Sequence, residues 1–148
     1  MVRIRNGRVT AITDRRPGAT ELRVAIDGEA GEVAAISYDQ LTGPVEAGDR
    51  VVLNTTAVAL GLGTGGFHVV MARVGGPVDA PGPGHVIKAR YTPSQVRVLA
   101  VEEEDSPHRD AVAACTDLGG LPVVCAELHS MVPVVAAAAR AASIPILR

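Results

Sequence analysis

Along the first half of the chain, apolar and polar residues alternate in short runs broken by glycine and proline. That is the period of strands with one buried face. The stretch "RIRNGRVTAI" sets Asn6-Gly7 between two alternating runs, a hairpin signal because both turn positions favour positive φ. "RRPGAT" (Arg15 to Thr20) and "DGEAG" (Asp27 to Gly31) predict two further turns, with "ELRVAI" and "EVAAIS" as strands between them. "GDRVVLNTTAVAL" reads as one long strand and "FHVVMARV" as its partner. Five or six strands in about 75 residues, with no helical period, predict a small antiparallel β-barrel over residues 1–75.

The period changes after "VGGPVDAPGPGH" (Val74 to His85), and a Pro/Gly linker is placed at residues 76–85. "VRVLAVEEE" is a continuous apolar run, as a strand buried on both faces would read. "SPHRDAVAACTDLGG" is punctuated as a helix: Ser106 to cap it, Pro107 in its first position, Gly119 or Gly120 to end it. "LPVVCAELHS" is a second buried strand, "MVPVVAAAARAA" an Ala-rich helix with Pro133 in its first turn, and "IPILR" a third strand. The fold class is therefore mixed β and α/β, with a truncated parallel, Rossmann-like β-α-β-α-β unit over residues 86–148 after the barrel. Such a unit cannot cover both faces and both edges of its own sheet. A homo-oligomer that completes the layer, or a missing C-terminal segment, is expected.

Composition narrows the partners. Hydrophobic residues make up 47% of the 148, enough for a packed core. Tyr38, Phe67 and Tyr91 are the only aromatics, so that core must be built from Val, Leu, Ile and Ala. A net charge of −2 and the scarcity of stacking side chains argue against nucleic acid. No apolar stretch has the length of a membrane span, and no apolar signal segment precedes Arg3 and Arg5. Cys115 and Cys125 lack metal-type spacing and are expected reduced, buried and inert in a cytoplasmic protein.

Two stretches raise candidate chemistry. In "GLGTGGFH", Gly61, Gly63 and Gly66 fit the G-x-G-x-x-G spacing of pyrophosphate loops. A strand-like run follows, however, where such a loop needs a helix N-terminus. The match is accidental, and the stretch reads as a glycine-rich hairpin or bulge where two backbones approach closely, or as a backbone anion nest. His68 inside the following run reads as a packed barrel residue. In parallel sheets ligands bind beyond the carboxyl ends of the strands. Those ends carry Glu102, Glu104, Asp105 and His108 after the first strand, and Glu127, His129 and Ser130 after the second.

If the two strands are neighbours, carboxylates and imidazole can form a metal shell, with Glu127 and His129 as the candidate ligands, or an acid–base pair. The plainer reading is that solvated acids favour a helix N-terminus and that Ser130 caps the second helix. Lys88, the only lysine, shares a strand face with Arg90 and can meet a phosphate or carboxylate, or be a solvated edge charge. The cofactor, if any, is left unknown by these residues; a small-molecule ligand at these strand ends is one expectation.

"GDRVVLNTTAVALGLGTGGFHVV", "GHVIKARYTPSQVRVLAVEEEDSPH" and "PVVCAELHSMVP" together resemble the N-terminal part of the bacterial proteins grouped as domain of unknown function 3866, from about Gly48 to Pro133. The resemblance implies a cytoplasmic bacterial protein. Members of that family run to more than twice this length, with the α/β portion continuing after "ELHS". No residue role is carried over. The expected function is a ligand-binding or enzymatic α/β domain with its site at the strand ends. The alternative is a noncatalytic module that oligomerises through the barrel or an exposed sheet edge.

Overall fold

Strand β1 (Ile4–Arg16) runs unbroken through the position of the expected first hairpin. Register shifts between Val9 and Ala11 and between Ile12 and Asp14 bend it. Its first half can therefore pair with β4 (Arg50–Asn54) while most of its length pairs with β2 (Ala19–Ile26). Gly7 lies between Ile26 on one side and Val51 on the other. A Cβ there would stand 2.7 Å from both the Ala25 carbonyl oxygen and Val24 Cγ1. Asn6-Gly7 is thus no turn: the glycine serves close approach inside a strand rather than positive φ.

The two other expected turns are present, joining β1 to β2 and β2 to β3 (Glu32–Tyr38). Strand β5 (His68–Val74) pairs antiparallel with β4 and parallel with β3, the latter through Ala35 opposite His68 and Ile36 opposite Val69. The order β1-β2-β3-β5-β4, with β4 returning to β1, closes a five-stranded barrel. It departs from the all-antiparallel expectation at the β3–β5 seam alone. A single helical turn, α1 (Asp39–Thr42), connects β3 to β4. This is the strand order of the five-stranded Greek-key barrel of the OB type.

Alternate residues of each strand fill the barrel. Val9, Leu22, Val24, Ala35, Val51, Leu53 and Val70 are buried, and Val45, between α1 and β4, packs among them. Each such Val or Leu contributes about 1.5–3 kcal/mol on leaving water. No aromatic takes part, as the composition requires. The buried hydroxyls beside α1 satisfy one another, Ser37 Oγ lying 2.7 Å from Thr42 Oγ1.

The "GDRVVLNTTAVAL" run does not remain a strand. β4 stops at Asn54, whose Oδ1 accepts the Thr56 amide at 3.0 Å and turns the chain into α2 (Thr56–Ala59). Asparagine's local hydrogen bond outweighs the β-propensity of the threonines.

The structure describes residues 1–79 and 82–144, so the linker's residues 80 and 81 and the last four residues of the expected "IPILR" strand fall outside it. The chain divides into two units, Met1–Arg109 and Asp110–Arg148. Among the described residues the parallel Rossmann-like unit is absent. Its first strand is only β7 (Val96–Val98), paired antiparallel with β6 (Val86–Lys88). Glu103 knits this hairpin together: its Oε1 accepts the Ala100 amide and its Oε2 the His85 amide, each at 2.6 Å. The first helix shortens to α3 (Arg109–Ala114), and "LPVVCAELHS" carries no strand. Only the Ala-rich helix appears as expected, as α4 (Val132–Ala141) with proline in its first turn. The apolar run "VRVLAVEEE" yields only the three residues of β7, and "LPVVCAELHS" contributes no buried residue, so an apolar run here does not by itself make a core.

Candidate functional site

The structure distributes the residues singled out in the sequence along exposed turns. Glu102, Glu104, Asp105 and His108 sit on the bends after β7, all exposed, while Ser106 beneath them is buried and its Oγ accepts the His108 amide at 3.2 Å. The acid with a defined role in that run is Glu103. Hydrogen bonds from the Ala100 and His85 backbones, with the His85 imidazole alongside, hold its carboxyl below the usual carboxylate range. Lys88 ends β6, but Arg90 lies in the following turn, where Ala89 and Tyr91 adopt positive φ, so the two do not share a strand face.

In the second unit Glu127 precedes a 3-10 turn (His129–Met131) that carries His129 and Ser130, all three exposed. Ser130 does not cap α4: the 3-10 turn runs straight into the helix, which has no side-chain cap. Among the described residues no three His, Cys, Asp or Glu side chains gather as a metal ion would need. Cys115 and Cys125 are free and exposed, against the expectation of burial.

The barrel supplies better-built concavities. One opens at its end, where Arg3, Arg5, Glu29 and Thr55 surround His68 in about 150 Å³. Arg5 Nε pairs with Glu29 Oε1 at 3.0 Å. Burial holds the His68 imidazole below its usual range, partly offset by Glu29, and its Nδ1 has no protein partner. His68 is therefore the barrel residue expected, though only half-buried.

A larger cavity of about 370 Å³ lies on the outer surface of β2, β3 and β5. Its floor is Ile36 and Val69, opposite one another across the parallel seam. Its rim carries Arg16 from the end of β1, Glu21 from β2 and Tyr38 from β3. The glycine-rich connection from β4 to β5 closes over it with Gly63, Thr64 and Phe67. Arg16 Nη1 meets Glu21 Oε1 at 2.8 Å and Asp14 Oδ2 at 3.9 Å. Thr64 Oγ1 is buried without a protein partner.

The glycines of that connection do not mark a close backbone approach. A Cβ on Gly61, Gly63 or Gly66 would meet nothing within 4 Å, whereas Gly61, Gly65 and Gly66 have φ between 65° and 83°. They allow a left-handed path that brings Phe67 and Thr64 over the sheet face. A strand follows, as the sequence indicated, and not the helix a pyrophosphate loop requires. No motif or spacing in the sequence marks Arg16, Glu21, Tyr38, Thr64 and Phe67 as a site. The available signal was that two of the chain's three aromatics flank the sheet and its glycine-rich loop.

The chain matches, over residues 34–146, the model of a family described as protein of unknown function (DUF3866), and it belongs to that family. No curated protein and no solved structure matches it.

Proposed function

We propose that this chain is a ligand-binding protein whose site is the 370 Å³ cavity on the outer face of β2, β3 and β5. The observation that carries this reading is the company the cavity keeps: an apolar floor, two aromatic side chains, an ion pair at the rim and a buried, unpartnered hydroxyl. Small-molecule sites combine an apolar lining with a few convergent polar groups in about 300–1,000 Å³. OB barrels place their ligands on this same face, beneath the β4–β5 connection, which is support by analogy of fold. Among the described residues, the strand-end site expected from sequence has none of the parallel strands it depended on. A fragment screen by amide NMR on the full chain tests the reading. Hits should converge on the amides of Ile36, Tyr38, Thr64, Phe67 and Val69; hits scattered elsewhere, or none, would contradict it.

A second reading, assembly, rests on a different observation. Within the second unit no described residue is buried, and Val123, Val124, Leu128 and Val134 are each more than 60% exposed. A second copy of the chain covering these side chains would supply the apolar burial the unit lacks. Sedimentation should then show a dimer that Val124→Asp with Val134→Asp dissociates. A monomer at every concentration would rule this out.

A further inference from the structure

Building on the cavity reading, we propose that the ligand is a neutral, hydroxyl-rich ring, that is, a carbohydrate. Charge decides first. Met1–Val74 holds eight arginines and no lysine against eight acids, so the barrel offers no net attraction to a polyphosphate backbone. At the cavity the balance is local. The Arg16 guanidinium is held between Glu21 and Asp14, so an anion drawn to the arginine meets carboxylates within the same few ångströms. A cation drawn to Glu21 meets Arg16 in turn. A neutral ligand escapes both penalties.

Hydrogen bonding narrows the class further. Arg16 only donates, Glu21 only accepts, and Thr64 Oγ1 does either. A ligand that satisfies all three must donate and accept from neighbouring positions, as adjacent hydroxyls do. A buried hydroxyl left unpaired is costly, so a ligand hydroxyl reaching Thr64 gains more than a solvent-exposed contact would. The aromatic pair completes the match. Tyr38 and Phe67 line the cavity, and their rings offer flat apolar faces of the kind on which the C–H face of a pyranose rests. The exposed Tyr38 is the accessible platform, and Phe67 is fixed by the loop, its amide donating to the Thr64 carbonyl at 3.2 Å.

The test is amide NMR titration of the full chain with maltotriose, cellotriose and chitotriose, beside inorganic phosphate and an oligothymidylate. At least one saccharide should give saturable shifts centred on Tyr38, Thr64 and Phe67, with phosphate and oligothymidylate silent there. Tyr38→Ala should weaken that saccharide about tenfold and Tyr38→Phe leave it nearly unchanged. Thr64→Val should weaken it while preserving the folded spectrum. If phosphate or oligothymidylate shifts these amides and the saccharides do not, the carbohydrate assignment falls. If fragments bind the cavity but no saccharide does, the assignment falls and the cavity reading stands. If neither fragments nor saccharides reach it, both fall.

Discussion

The barrel and the second unit draw on the same apolar alphabet and use it in opposite ways. In β2, Leu22, Val24 and Ile26 alternate with more exposed residues, and every second side chain leaves water. In α4, valine and alanine make up most of the ten residues and none is buried. Apolar content alone therefore does not make a core. Closure does: β1 bends at two bulges and returns to β4, so each inward side chain finds partners across the barrel. The second unit has no strand among its described residues and nothing of its own to close against.

This contrast is open to test. Leu22→Ala or Leu53→Ala should cost about 2–5 kcal/mol by denaturant unfolding, since each empties a fully buried position. Val134→Ala, on a side chain 70% exposed, should change the same measurement by less than about 0.5 kcal/mol. Equal effects would abolish the distinction. A second pair of variants separates two uses of glycine within the first unit. Gly7→Ala should cost about 1–3 kcal/mol, because backbone cannot retreat from the added methyl. Gly61→Ala, in open space at φ 66°, should cost only the left-handed strain of about 1–2 kcal/mol. The reverse order would show that the β1 crossing is looser than its geometry indicates.

Smaller effects come with acid. The His68 imidazole titrates below 6.5 in the folded barrel, so on acidification the unfolded chain takes up its proton first. Stability should be whole above about pH 6.5 and fall as pH drops through the folded value. His68→Leu should flatten that slope. The smallest effect is confined to the β6–β7 hairpin. Glu103 is depressed below 4.5, so its contribution is present above that pH and lost as pH falls through the folded value. The His85 and Ala100 amide resonances should move together in that range, and Glu103→Gln should abolish the transition. Unchanged resonances in the variant would assign the transition to another group.

The barrel was legible in sequence because β2 to β5 are short and separated by turns and loops whose chemistry is local, whereas β1 runs on over 13 residues. What misled at Asn6-Gly7 was the double use of glycine, since a residue chosen for positive φ and one chosen for having no Cβ read alike. What misled at "VRVLAVEEE" and "LPVVCAELHS" was that an apolar run reports a wish for burial and not the neighbour that grants it. The candidate site was hidden for a related reason. Arg16, Glu21, Tyr38 and Thr64 come from four separate segments, and only the bent β1 and the parallel β3–β5 seam bring them to one cavity. The glycine-rich stretch resembles a phosphate loop in spacing, whereas in the fold it carries Thr64 and Phe67 to the cavity.

The most direct test of the division between the two regions is amide hydrogen exchange on the intact chain. The account predicts slow exchange confined to the paired residues of β1 to β5, with amides of residues 110–144 exchanging near their intrinsic rates at concentrations where the chain is monomeric. Protection in the second unit equal to that of β2 and β4, in a monomer, would contradict it.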